Sequence, residues 1–346
     1  VSQKNYSAVK FDVAEALGEW MNCLYIKEDN QGQIHYDFIQ HRVADGVSGV
    51  TLLLQKEGHQ VLNQPGLKKG TPPNFFKKLV ALKKYISLTK KVPINWKKQR
   101  IDITGIPETY AIIALSEKET LALHDKVKSE KISLNSYILW ALDKTVAENL
   151  LTKESARKWI APLNMRPKDS KKLIMGNDSA SIITNVLPSD HPLNGRWFHN
   201  QVSSYLKDGT HWGSQVYSNM AKYIGFKGTL KVAKGIKEVG TGVFSNLGAW
   251  PHQGVILDKD SDNIIWRNVL VPTTQILPVG GATWQWKDRL ALSLQLHPSL
   301  NLPSTECEVL LNEWIKNLGA FITSKATLQH WKEHPECPRE LIRRKQ

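Results

Sequence analysis

The sequence predicts an α+β protein folded as two lobes, and three observations predict it. Short runs in which apolar and polar residues alternate, such as Ile34 to Ile39 and Leu290 to His297, are interleaved with segments of helical periodicity, such as Asp12 to Met21 and Ser304 to Leu318. The chain has 346 residues, more than one hydrophobic core ordinarily serves. The layout of strand, histidine, polar residue four positions on and then helix occurs twice, at His41 and at His297.

Taken in order, Asp12 to Met21 reads as a helix and Asn22 to Ile26 as a strand, and Glu28 to Gly32 is the turn into a strand that ends on His41. The strand period puts His35, Asp37, Ile39 and His41 on one face and Ile34, Tyr36, Phe38 and Gln40 on the other, so His41 ends a polar face. Asp45 and Gly46 follow, the glycine permitting a sharp turn or the close approach of a ligand, and Val47 to Leu54 starts a helix. A connector from 58 to 105, with Pro65, Pro72, Pro73 and Pro93, completes a first lobe of residues 1–105. The second lobe, 106–346, opens with the strand Tyr110 to Leu115. Ser116 then caps a helix running towards Lys128, with Glu119 completing a capping box, and a second helix runs from Lys131 towards Asn149. The strand Trp159 to Leu163 leads into Asn164, Met165 and Arg166, the strand Ser179 to Leu187 follows Gly176 and Asn177, and helices fill Arg196 to Ile224. Strands at Ile264 to Val271, Ala282 to Trp286 and Leu290 to His297 precede the last helix, Ser304 to Leu318. The tail after Thr327 is polar and basic and is expected to be loosely held.

Composition narrows the function classes. The formal charge is +14, and between Lys68 and Arg100 eleven cations meet no Asp or Glu. Phe75, Phe76, Leu79, Val80, Leu82 and Ile86 recur there at roughly helical spacing between lysine pairs. This reads either as a solvated helix covering a lobe or as a helix that docks on an anionic membrane or acidic partner. No nucleic-acid-binding module accompanies the charge, so nucleic acid is not an expected partner. Cys23, Cys307 and Cys337 are widely spaced and suggest neither a disulfide framework nor a metal site. No apolar run approaches membrane-spanning length and the first residues do not open a secretory signal, so the cytoplasm is expected, with peripheral contact at the inner membrane surface as the alternative the basic connector leaves open. The first residue is not Met, which leaves processing or trimming open.

At His297 the second copy of the layout has Asn301 where the first has Asp45, Leu302 where the first has Gly46, and a proline directly after the histidine. A duplicated unit with one intact and one eroded site explains this pairing. His41-Arg42-Val43-Ala44-Asp45-Gly46 resembles the HxxxDG motif of the thioester-dependent acyltransferase superfamily, which includes chloramphenicol acetyltransferase, condensation domains of peptide synthetases, wax ester synthases and polyketide-associated acyltransferases. Phe244-Ser245-Asn246-Leu247-Gly248 resembles the SNLG strand of the same superfamily, and Lys131 to Leu142 its preceding helix. The resemblance implies a chloramphenicol acetyltransferase-like pseudo-dimer, each lobe a mixed sheet covered by helices, with an active-site tunnel between the lobes. The histidine precedes the SNLG-like strand, as in fused, two-lobed members. Gln40 stands where peptide-synthetase condensation domains carry an additional histidine, which points to a stand-alone acyltransferase. Only 40 residues precede His41, fewer than fused members usually hold, so part of the first lobe is missing, reduced or supplied by another chain.

The activity this resemblance implies is transfer of an acyl group from acyl-CoA or a phosphopantetheinyl carrier-protein thioester to the hydroxyl or amine of a small-molecule or lipid acceptor. It needs no resident cofactor, no metal and no acyl-enzyme. Such chemistry requires a base for the acceptor's proton and donors for the tetrahedral oxyanion. His41 is the expected base. Asp45 and Gly46 hold the loop, with Arg166 as the ion-pair partner that the family pattern calls for. Ser245 and Asn246 donate to the oxyanion or line the tunnel, or are satisfied by their own backbone. Trp250 is expected to pack. The rival reading is a catalytically idle member of the fold that binds a carrier protein, lipid or other acidic partner. The intact His41, Asp45 and Gly46 beside an altered second copy favour the enzyme.

Overall fold

The structure, a computed structural model, describes residues 8–66, 73–167, 172–190, 193–236, 238–258 and 263–331. Lys68, Lys69, Pro72 and Cys337, and the tail beyond Trp331, lie outside the described residues.

The chain opens with α1 (Ala8–Ala16), which starts earlier and ends sooner than its periodicity suggests because Gly18 turns at φ +87°. The antiparallel pair β1 (Asn22–Asp29) and β2 (Ile34–Gln40) follows, and then α2 (Gly46–Lys56). A short strand β3 (Gln60–Val61) and α3 (Phe75–Thr89) complete the connector. Next come β4 (Thr109–Ala114), α4 (Glu117–Ser129) and α5 (Leu134–Leu150). Ser116 and Glu119 form the capping box, and Ser133 caps α5 through Ser136 N. After β5 (Arg157–Asn164) and β6 (Ser179–Val186) come α6 (Gly195–Lys207) and α7 (Thr210–Lys234), the latter kinked at Gly225. The strands β7 (Gly242–Trp250), β8 (Val255–Ile256), β9 (Ile264–Leu270), β10 (Val279–Trp286) and β11 (Arg289–Leu296) lead into α8 (Glu306–Leu318) and β12 (Thr327–His330).

Seven strands form the large sheet in the order β12-β4-β11-β10-β7-β5-β6, a mixed sheet in which β7 runs parallel to both β10 and β5. The smaller sheet, β2-β1-β9, is antiparallel throughout, and β3 pairs with β8. The division at residue 105 therefore does not divide the sheets. β8 and β9, which fall in the second lobe, complete sheets begun by β3 and β1; β2 pairs with one edge of β1, and the backbone groups of its other edge are satisfied by β9. Thr327 to His330 likewise is not a loose tail. It pairs with β4 and forms the edge of the large sheet, and Trp331 behind it is buried against Trp20, Phe38 and Tyr110.

Burial explains the layering. One core lies between the large sheet and α5 and α8, where Leu139, Leu142, Leu310 and Trp314 meet Phe244, Val279 and Leu292. On the other face Ala282, Trp284 and Trp286 of β10 and Leu247 and Trp250 of β7 meet Cys23, Tyr25 and the apolar stripe of α2. A third cluster joins Leu24 and Ile26 of β1 to Tyr110, Ile112 and Ala291 of the large sheet. Alternate residues of β1 thus serve two different clusters, which fixes its register. The far end of α2 is held by Glu57, which pairs with Arg267 of β9, and the guanidinium lies 4.2 Å from the Trp286 ring centroid.

Candidate active site

His41 lies one residue beyond β2, where its backbone N–H donates to Met21 O at 3.1 Å and its carbonyl accepts from Asn177 Nδ2 at 2.8 Å. Both ends of the residue are tied, so the ring is aimed by the backbone. Phe11 of α1 stacks on the imidazole with centroids 4.5 Å apart. Its Nδ1 is buried without a hydrogen-bond partner. Burial pushes the imidazole below its ordinary value, and the nearby His41 and Ala44 backbone, the negative charge of Asp45 and the Asn177 side chain only partly oppose this. The ring is therefore neutral at pH 7 and able to accept a proton.

Asp45 is both a helix cap and half of an ion pair. Its Oδ1 accepts from Ser48 N at 3.0 Å, capping α2. Arg166 donates to both carboxylate oxygens at 2.9 Å, and Asp178 N donates to Oδ2 at the same distance. Arg166, 1% exposed, spends its remaining donors on Ile174 O, Gly176 O, Asn164 Oδ1 and Ser48 Oγ. A buried pair satisfied at every polar atom fixes geometry, and the loop it fixes carries His41 on one side and Asn177 on the other. Gly46 has a different reason from the one its sequence position suggests. A Cβ there would collide with Leu247 Cδ2 of β7, so the glycine lets the start of α2 lie directly against the SNLG-like strand.

A cavity of about 290 Å³ is lined by all six residues singled out from the sequence, His41, Asp45, Gly46, Arg166, Ser245 and Asn246. Ser245 and Asn246 come from β7, opposite Ala282 and Thr283 of β10. Asn246 is partly committed, since its Oδ1 accepts from Gly248 N at 2.7 Å in the turn where Gly248 adopts φ +76°. Ser245 remains the better candidate donor. Trp250 packs: it is buried and its Nε1 donates to Leu247 O. Phe11, Met21, Val47, Leu163, Val243, Val269 and Leu277 make much of the cavity wall apolar. Cys23 also lines it, but burial and the nearby Asp45 charge push its thiol up to about 12, so it is not a thiolate nucleophile at neutral pH. Among the described residues no cluster of three or more His, Cys, Asp or Glu side chains is placed to hold a metal ion.

Several lining residues carried no signal in the sequence. Lys10 reaches the cavity from α1 and donates to Ser218 Oγ at 2.7 Å, and burial lowers its ammonium to about 8. Near it the Ser181 and Ser214 hydroxyls lie 2.8 Å apart, with Tyr85 OH 2.8 Å from Ser181. Asn177, which holds the His41 carbonyl and does not line the cavity, could be read only as a turn residue.

His297, the histidine of the second copy, is placed quite differently. It follows β11, is buried, and is paired at both nitrogens: Ser299 N and Oγ approach Nδ1 at 3.1 and 2.9 Å, and Nε2 lies 3.0 Å from Glu19 Oε2. Asn301 caps a short 3₁₀ turn, Pro298–Leu300, in the left-handed conformation, and holds no arginine as Asp45 does.

No protein-family model matches this sequence, and no curated protein matches it. Solved structures share its fold. A trichothecene 15-O-acetyltransferase from Fusarium sporotrichioides superposes with a TM-score of 0.52 at 13% identity, over 73% of this chain and 55% of that one. The condensation domain of a monacolin K polyketide synthase superposes with a TM-score of 0.52 at 11% identity, over 82% of this chain and 68% of that one. The chain thus spans about half the length of the acetyltransferase. The two-lobed, chloramphenicol acetyltransferase-like α+β fold is the fold of this protein.

Proposed function

We propose that the cavity at His41 transfers an acyl group from a thioester, carried by coenzyme A or by a phosphopantetheinylated carrier protein, to a hydroxyl or amine. The observation that carries this is the convergence of a neutral, backbone-aimed histidine and the Ser245 strand on one largely apolar cavity. With Nδ1 turned inward, Nε2 is the nitrogen left to take the acceptor's proton. The acceptor oxygen or nitrogen then bonds to the thioester carbonyl carbon, and the carbonyl electrons move to oxygen. The Ser245 hydroxyl, with Asn246 Nδ2 beside it, steadies that oxyanion. As it collapses, the C–S bond breaks and the imidazolium returns its proton to the departing sulfur. The enzyme forms no covalent bond to the acyl group. Asp45, Gly46 and Arg166 hold the loop and do not touch the reacting atoms. The apolar wall suits an acyl chain or lipid acceptor, while Lys10 and its serines give the cavity one cationic, hydroxyl-rich stretch.

Free-thiol release from a panel of acyl-CoA and acyl-pantetheine thioesters, measured with and without alcohol and amine acceptors, tests this reading. Acceptor-dependent release that His41→Ala removes is the expected result. Thioester binding by calorimetry with no acceptor-dependent release from any member of the panel would instead identify an idle binding module.

A further inference from the structure

The helix α3 is turned inside out relative to an ordinary amphipathic surface helix. Its buried side chains are Ala81 and Tyr85, which pack against α7. A Cβ on Gly213 would collide with the Ala81 carbonyl, and the Tyr85 and Tyr217 rings lie 5.6 Å apart. The large apolar residues point the other way. Phe75 and Phe76 are 68% and 74% exposed, and Leu79, Val80 and Ile86 are exposed with them. At the helical repeat these five fall within one arc of roughly 140°, with Lys83 inside it and Lys77 and Lys84 on one flank. A helix that packs through its small face and offers phenylalanines to water leaves a patch of the kind that marks an interaction surface.

Charge selects the occupant. Between Pro73 and Arg100 there are nine cations and no Asp or Glu, and although the fold pairs Lys84 with Asp208 and Arg100 with Glu238, Lys77 and Lys83 remain exposed on α3 itself. A second copy meeting this face through the same face would set lysines against lysines, and an acidic protein would have to match each of them individually. A lipid surface needs only apolar depth for the phenylalanines and diffuse negative charge for the lysines. We infer that the outward face of α3 docks the protein on an anionic membrane surface, with Phe75 and Phe76 entering the headgroup boundary. This binding is independent of the acyl-transfer reading, since neither the helix face nor its test involves the cavity.

Co-flotation of the full chain with vesicles of phosphatidylcholine, with and without about 30% phosphatidylglycerol, tests it. Binding to the anionic vesicles alone, weakening as salt shortens the screening length, is expected. Phe75→Ser with Phe76→Ser should lower the partition coefficient at least about tenfold, and Lys77→Gln with Lys83→Gln about twenty-five-fold, at about fivefold per lysine. All four side chains are exposed, so the melting temperature should not move. Failure of the unmodified chain to float with anionic vesicles at low salt would overturn the inference, as would variants that bind as well as it does. Concentration-dependent self-association that Phe75→Ser with Phe76→Ser dissolves, without vesicle binding, would assign the face to a second copy and overturn it equally.

Discussion

His41 and His297 each sit one residue past the end of a strand, yet one is left with unused capacity and the other is not. His297 lies in a closed chain of hydrogen bonds. Arg100 donates to Ser299 Oγ, Ser299 N–H donates to His297 Nδ1, and Nε2–H is thereby left to donate to Glu19. His41 has a stacked ring, a buried unpartnered Nδ1 and a cavity beside it, while Asp45 and Arg166 are satisfied at every polar atom and Asn177 Nδ2 ties its carbonyl. The difference teaches that a histidine at a strand end becomes structural when its own ring is satisfied. It becomes available for chemistry when the satisfaction is moved to the loop that carries it.

The largest expected effect lies in paired substitutions. His41→Ala should lower acceptor-dependent thiol release by at least about a hundredfold while leaving the melting temperature nearly unchanged. His297→Ala should do the reverse, costing about 3 kcal/mol in denaturant unfolding, because Glu19 and Ser299 lose a buried partner, with activity per folded molecule retained. Equal effects of the two on activity would erase the distinction. Asp45→Asn should cost about 3–5 kcal/mol, since Arg166 is buried opposite it, and activity should fall with it as the His41 loop loosens.

The pH dependence sharpens the contrast further. Because burial holds the His41 imidazole below its ordinary 6.5, the acid limb of kcat/KM should lie below pH 6.5. The unfolded chain takes up that proton at a pH where the folded chain does not, so His41 also makes stability fall as pH drops from about 6.5 through the folded value. A kinetic limb above pH 7 would contradict the neutral-base reading. The smallest effect concerns Lys10. Its ammonium, lowered from 10.5 to about 8, costs stability below pH 8, a cost that fades between pH 8 and pH 10.5. Lys10→Met should therefore stabilise the protein at pH 7 by on the order of 1 kcal/mol, and the gain should vanish above pH 10.5 in chemical denaturation.

What was legible in the sequence was local. The strand at Ile34 to Ile39 and the Ser116–Glu119 box are written in neighbouring residues, and each forms as read, whereas the capping of α2 by Asp45 was not read from its position. Arg166 was reachable through the family pattern, and the structure sets it on Asp45. The pairing of β9 with β1 was not legible, because Val269 meets Tyr25 across most of the chain and no local period encodes such a partner. Lys10 and Ser218 are ordinary polar residues whose place at the cavity exists only once α1 and α7 are packed, and Asn177 reaches the His41 carbonyl only once the loop before β6 is in place. The orientation of α3 also escaped the pattern, since spacing shows that apolar residues share a face and says nothing of whether that face is turned inward.

The most direct test of a base at position 41 is chemical rescue. With His41→Gly, acceptor-dependent thiol release should be nearly lost and should rise with added imidazole, most strongly at a pH where the added imidazole is neutral, because the cavity then holds a free base in place of the missing ring. Release at the level of the unmodified protein without imidazole, or no acceleration at any imidazole concentration, would contradict His41 as the base.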